Sequence, residues 1–188
     1  VTWQGRLFSL PTMVRIPKDA QWRERSSLDR LVKSDGLVYL ESWPIGYRGE
    51  EWLVGERAER LGLLSQHVMT VAKADAATRL LVLAALTALE APDVVDVCVG
   101  LPLHGYEEQG VVLQSLLRGE HRVVAGGRER SLQLKGTVVP EGLGLWVRSL
   151  SRDGDAVDPN LVSVPTAVLD FGHRTIQMAV FTGLQMYA

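Results

Sequence analysis

The stretch DAATRLLVLAALTALE, residues 75–90, constrains the fold more than any other. Alanine and leucine fill most of its positions, which is the composition of a strong helix former. Almost no polar face is left over, and a helix apolar all round has to be buried. Asp75 is placed to cap its N-terminus, and Pro92 blocks its continuation. VVDVCVGLP (94–102) follows at once, a β-branched run of the kind that a sheet covers on both faces. Cys98 lies within it and is expected as a buried, inert thiol. A buried helix feeding a buried strand calls for a layered α/β core.

The remaining segments supply strands and further helices. VTWQG and RLFSLPTMV read as short strands around a Gln4-Gly5 turn, with Pro11 interrupting the second. Residues 19–36 are polar and read as a surface excursion ending at Asp35-Gly36. LVYLESWPIGY and GEEWLVGERA are strand candidates. Tyr106–Leu117 spaces Val111, Val112, Leu116 and Leu117 for a half-buried helix. HRVVAGGRERSLQLKGTVVP is a hairpin turning at Gly126-Gly127. PEGLGLWVRSL reads as a helix with Pro140 near its first turn. SRDGDAVDPN is the most turn-rich stretch and the best linker, and Val162–Met186 closes the sequence with another hairpin. The order of strands and helices suggests a mixed sheet flanked by helices.

Composition excludes several function classes. Hydrophobic residues make up 46% and charged residues 22% of 188 residues, an ordinary globular balance. A formal charge of −2 gives no electrostatic case for direct nucleic-acid binding. Leu80–Leu89 is the longest apolar stretch, well short of the roughly 20 residues of a membrane span. A single cysteine rules out an internal disulfide and suits a reducing compartment, so a cytoplasmic location is expected. His67, His104 and His121 show no metal-ligand spacing. The five tryptophans are scattered rather than grouped as a base-stacking platform.

Two stretches carry chemistry. In VLDFGHRTIQMAV (168–180) an apolar strand ends at Asp170, and Gly172 permits a tight turn. Such a turn presents backbone N–H groups to an anion. Arg174 can supply a charge and Thr175 a hydroxyl, and His173 reads either as a further phosphate contact or as an exposed turn histidine. Asp170 is placed to hold Mg²⁺ through coordinated water, because magnesium keeps several waters and takes one or two carboxylates plus phosphates. An ordinary turn with a satisfied aspartate explains the same pattern. In VVPEGLGLW (138–146), Glu141 lies just past a strand, where a helix-start role is the ordinary reading. Gly142 and Gly144 disfavour a helix by about 1 kcal/mol each relative to alanine, which suggests close approach of a backbone or ligand. A carboxylate there is suited to orienting a water for attack on a phosphoryl group.

Taken with WLVGERA (52–58) and VDVCVGLPLHGYEEQ (95–109), these stretches give the chain a resemblance. In order and spacing it resembles the actin-like plasmid-segregation ATPases (ParM/StbA-like) and their archaeal actin-like relatives, over almost its whole length. The resemblance implies an α/β actin-like ATPase domain of RNase-H-like fold, with residues 1–155 as a first domain. Residues 156–188 would be the linker and first hairpin of a second. It implies ATP and Mg²⁺ as ligands, Asp170 acting on the magnesium water shell, and Gly172, His173, Arg174 and Thr175 as the phosphate-binding turn. Glu141 takes the catalytic, water-orienting position. It further implies nucleotide-dependent self-assembly into filaments and an adaptor protein bound to plasmid DNA.

Departures from the family pattern qualify this. The Asp-x-Gly hairpin with which the family begins is absent, and VTWQG is similar to its second arm. Most of the second domain is likewise absent, so ATP hydrolysis is expected of the intact parent protein and not of these 188 residues alone. Where the family's hairpin often reads Thr-Thr-Asp, this chain has Thr175-Ile176-Gln177. A non-catalytic assembly module of the same fold is therefore a competing expectation, and a sugar or acyl kinase of the same superfold is a third. Loss of the first strand is also expected to leave a sheet edge or apolar groove exposed.

Overall fold

The structure, a computed structural model, describes residues 2–3, 6–9, 13–15, 32–34, 37–39, 42–55, 66–67, 74–152, 156–157, 162–171, 176–183 and 185–187. The first strands are β1 (Thr2–Trp3), β2 (Arg6–Ser9), β3 (Met13–Arg15), β4 (Val32–Ser34) and β5 (Leu37–Tyr39). β6 (Ser42–Tyr47), β7 (Glu50–Gly55) and β8 (Gln66–His67) follow. Then come helix α1 (Ala76–Ala88), β9 (Val94–Leu101), α2 (Tyr106–Leu117), β10 (Gly119–Ala125), β11 (Arg128–Pro140) and α3 (Leu143–Leu150). β12 (Ser151–Arg152), β13 (Ala156–Val157), β14 (Thr166–Phe171), β15 (Ile176–Thr182) and β16 (Gln185–Tyr187) complete the chain.

The chain divides into two compact units, Val1–Val97 with Leu113–Gly136, and Cys98–Val112 with Thr137–Ala188. A four-stranded sheet has the order β1-β2-β5-β4, and a seven-stranded sheet the order β8-β3-β7-β6-β10-β11-β9. The last three strands form their own antiparallel sheet, β14-β15-β16. This is the mixed sheet with helices that the element order suggests.

Local sequence chemistry accounts for much of the first unit. Asp75 caps α1 as expected, its carboxylate accepting the Thr78 N–H at 2.8 Å. Leu80, Leu83, Ala84, Leu86 and Leu89 of the α1 stretch pack with Ile45, Val54, Val123, Leu132 and Leu134 in one buried cluster. Thr87 is satisfied inside it. Its hydroxyl donates to the Leu83 and Ala84 carbonyls and accepts the Trp43 indole N–H at 3.0 Å. The β10–β11 turn is the two-residue Gly126-Gly127 link, with φ of 58° and 73°, values that a side chain on either residue would oppose.

Three expectations need correction. β9 is covered on one face, and Cys98 is exposed rather than buried. β9 ends the described seven-stranded order, and the edge of a sheet leaves cover incomplete in a way that composition does not reveal. In α2 the buried side chains are Leu113 and Leu117, whereas Val111 and Val112 are exposed. The covered stripe follows i, i+4, and the two valines fall off it. Finally, Pro140 ends β11 instead of opening a helix, and Glu141-Gly142 is a turn before α3.

One buried polar group gives the first unit a pH dependence. His121 is 5% exposed. Its Nε2 lies 2.8 Å from the Leu117 carbonyl, which can only accept, so Nε2 carries the hydrogen and Nδ1 accepts the Tyr47 hydroxyl at 3.2 Å. Burial lowers its pKa from the ordinary 6.5, and the nearby Arg79 and Arg48 guanidinium groups act in the same direction against the Leu117 bond. Arg79 and Arg48 also sit over the Tyr47 ring, 4.9 Å and 5.4 Å from its centroid. Below pH 6.5 the unfolded chain takes up a proton that the fold disfavours, so stability is full above that value and falls on acidification. The loss is at most about 1.4 kcal/mol per pH unit until the folded group titrates. Urea midpoints measured from pH 8 to pH 5 are expected to decline below 6.5. A His121→Gln variant is expected to lose that part of the slope.

Candidate functional site

The second unit places the two strand exits that frame the candidate site. The Gln133 N–H donates to the Asp93 carbonyl at 2.6 Å, and the Glu141 N–H to the Leu101 carbonyl at 2.7 Å. The partners advance together, so β9 and β11 run in the same direction and both end beside Glu141. Parallel neighbours need a crossover connection, and here α2 with β10 provides it. Gly142 follows with φ of 90°, and its carbonyl accepts the Trp146 N–H at 3.0 Å to begin α3. The glycine is required by that backbone conformation. A side chain at Gly144 would meet nothing, so close packing does not explain that glycine. Gly100 is the close approach instead: a Cβ there would lie 3.2 Å from the Glu141 Cγ.

α3 anchors this turn to the terminal sheet. Trp146 is fully buried and stacks on Phe181 of β15, centroids 5.6 Å apart and planes 11° from parallel. Its indole N–H donates to the Gly183 carbonyl at 2.8 Å. Leu150 and Ala179 complete the buried cluster, with Leu103, Leu143, Val168 and Met186 packed against it.

The hairpin presents its residues in alternation. Val168 and Asp170 on β14, and Gln177, Ala179 and Phe181 on β15, turn toward the same face. Asp170 stands directly opposite Gln177 in the ladder. The Gln177 amide oxygen accepts the Leu103 N–H at 3.0 Å, and its amide nitrogen donates to the Glu141 carboxylate at 2.5 Å. Of the two predicted carboxylates, Glu141 thus bonds Gln177 directly, and Asp170 is the ladder neighbour of Gln177. Gly172, His173, Arg174 and Thr175, the predicted phosphate turn, lie outside the described residues.

Gln177 is the residue that sequence reasoning missed. It stands there as a departure from Thr-Thr-Asp, yet it joins the hairpin to Glu141 and to the segment after β9. Its partners lie 74 and 36 residues away in sequence, so no local pattern marks it.

The donor set suits a hard cation that keeps its waters. Asp170 is partly exposed at a strand end and offers carboxylate oxygen. Among the described residues no group of three or more His, Cys, Asp or Glu forms a metal cage. An outer-sphere magnesium with phosphate ligands requires none. An open cavity of about 370 Å³ lies nearby, lined in part by Leu103, His104, Glu107, Glu108 and Met186. Its two glutamates make it unsuited to a triphosphate. Among the described residues no helix is long and apolar enough to cross a membrane.

Comparison with known proteins places this geometry. Residues 3–144 match the family described as the N-terminal domain of actin-like proteins. No curated protein matches the sequence. Among solved structures, apo pSK41 ParM superposes with a TM-score of 0.66 at 17% identity, over 95% of this chain and 56% of that one. The archaeal actin homologue Ta0583 gives 0.66 at 14% identity, over 95% and 52%. The filament structure of AlfA from the B. subtilis plasmid pLS32 gives 0.61 at 13% identity, over 95% and 59%. Identities this low speak for the fold, and the chain spans between about half and three fifths of the length of these proteins. The parallel pair β9 and β11, the Glu141 turn and the β14–β15 hairpin are thus parts of an actin-like fold, and the chain belongs to the actin-like protein family through the N-terminal domain it carries at residues 3–144.

Proposed function

We propose that the protein is an actin-like ATPase whose nucleotide-bound form assembles head to tail into filaments that segregate plasmid DNA in the cytoplasm. The observation that carries this reading is the Gln177 bridge. It ties the Glu141 carboxylate to the hairpin face that bears Asp170. Two solved relatives add weight. Ta0583 has been solved in complex with ADP, and AlfA as a filament bound to AMPPNP.

In this reading Gly172, His173, Arg174 and Thr175 hold phosphates, largely through backbone N–H groups. Asp170 orients the magnesium water shell, and magnesium, when bound, neutralises phosphate charge. Glu141 positions the attacking water, and Gln177 fixes the Glu141 carboxylate. ATP lies between a first domain, residues 1–155, and a second beginning at 156–188. A heterologous contact whose rotation does not close gives an open filament. The link to DNA runs through an adaptor protein, consistent with the formal charge of −2.

Sedimentation and phosphate release from the intact protein test the proposal together. ATP or AMPPNP is expected to move the protein into the pellet, and ATP alone to release phosphate and shorten the life of the polymer. Assembly without phosphate release would favour the non-catalytic module. A protein that stays in the supernatant with every nucleotide would end the filament reading.

A further inference from the structure

The end of β9 and the segment just past it hold Glu141 at both ends. The Leu101 carbonyl accepts the Glu141 N–H at 2.7 Å. The Leu103 N–H donates to the Gln177 amide oxygen at 3.0 Å, and the Gln177 amide nitrogen donates to the Glu141 carboxylate. Backbone and carboxylate are thus both fixed from the same segment, and between these two points the Glu141 stem passes Gly100. A glycine inside a strand weakens it and calls for a reason, such as a special backbone angle or a close approach. Gly100 stands within β9, one residue before its end. Its φ lies outside the left-handed region that favours glycine, so the backbone does not require it. Among the described residues, a Cβ there would meet two atoms, the Glu141 Cγ at 3.2 Å and the Glu141 Cα at 3.9 Å. The second is an ordinary contact. The first is inside the roughly 3.5–4.0 Å at which carbon atoms pack best. What a side chain at 100 disturbs is therefore the stem of Glu141.

We infer that Gly100 is a positioning residue of the candidate site: its missing side chain gives the Glu141 stem the place from which the carboxylate reaches Gln177. A methyl group at 100 pushes the Glu141 Cγ by a few tenths of an ångström. The Glu141 backbone cannot follow freely, because its N–H is bonded to the carbonyl of Leu101, the residue next to Gly100. The shift is taken up at the carboxylate and in its bond to Gln177. This step needs only the geometry. Its consequence for turnover rests on the proposed ATPase reading, in which the Glu141 carboxylate positions the attacking water. Small misplacement of a positioning group slows the reaction, and it leaves phosphate binding, assigned to other residues, in place.

The test uses the intact protein, with and without nucleotide. Without nucleotide, the side-chain amide resonances of Gln177, identified by their loss in Gln177→Leu, are expected to move in Gly100→Ala. They are expected to stay in place in Gly144→Ala, where a Cβ meets nothing among the described residues. With ATP, Gly100→Ala is expected to lower kcat about 10-fold while KM changes by less than about twofold. In a Glu141→Ala background the Cγ is gone, and Gly100→Ala is expected to remove no further turnover. The urea midpoint of Gly100→Ala should match or exceed that of the parent, because alanine at an extended position restricts the unfolded chain more than glycine does. Gln177 resonances that stay in place in Gly100→Ala overturn the inference, whatever the turnover does. A midpoint well below the parent's overturns it too, as does a loss of turnover that multiplies with that of Glu141→Ala, since both mark a general disturbance of β9. Moved resonances together with full turnover in Glu141→Ala support the positioning role of Gly100 and end the water-orienting reading of Glu141, so the two failures are told apart.

Discussion

Trp146→Ala is expected to destabilise the second unit by about 3–5 kcal/mol, as removal of a fully packed indole does. Trp146 has no exposed surface, stacks on Phe181 and donates its N–H to the Gly183 carbonyl. The cluster around it is small. Four residues are buried and four more are partly buried against them, so few neighbours can move in to fill the void. Typical domain stabilities are about 5–15 kcal/mol, and a loss of this size consumes much of that margin. Trp146→Phe provides the contrast. It keeps a ring against Phe181 and gives up chiefly the indole hydrogen bond, about 1 kcal/mol. Urea unfolding of the two variants distinguishes the packing and hydrogen-bond contributions. A Trp146→Ala midpoint close to that of the parent would mean that α3 is not held by this cluster. The same packing joins the helix after Glu141 to the strand carrying Gln177, so Trp146→Ala should also loosen the candidate site.

The parts of this fold that can be read from sequence are those decided within a few residues. The Asp75 cap, the stop at Pro92 and the Gly126-Gly127 turn each follow from chemistry spanning one helical turn or one hairpin. The apolar runs gave β9 and β14 for the same reason. What escaped depends on which neighbours a segment finds. Cys98 alternates correctly along its strand, yet one face of β9 is left open at the end of the described sheet order. Val111 and Val112 have the composition of a buried helix face and miss the stripe that the sheet covers. At the candidate site, Glu141 and Asp170 could be singled out from sequence because a carboxylate near a strand exit is a local pattern. Gln177 was not, since its importance lies in two bonds to segments far away in the chain. Gly100 was missed likewise: its want of a side chain matters because the Glu141 Cγ passes close by.

On the proposed ATPase reading, Glu141→Ala is expected to slow ATP turnover about 100-fold or more, the usual contribution of a positioned carboxylate to proton handling at a reacting water. Gln177→Leu offers the sharper test. It keeps similar bulk in the strand while removing both the bond to the Leu103 N–H and the bond to the Glu141 carboxylate. If Gln177 acts by fixing Glu141, kcat falls and KM for ATP changes little, because the proposal assigns ground-state binding of phosphate to residues 172–175 and not to Glu141. The two substitutions should then be far from additive: once Glu141 is alanine, removing Gln177 has little left to disturb. A structural role for Gln177 predicts otherwise, with stability falling and the two losses multiplying. Gln177→Glu separates the cases again. It retains length and an acceptor for the Leu103 N–H, but sets a second carboxylate against Glu141, and like charges at hydrogen-bond distance repel. That variant is expected to fold, to bind nucleotide and to turn it over poorly. Full activity in Gln177→Glu would show that Glu141 needs no donor at this position, and the water-orienting role would have to be sought elsewhere.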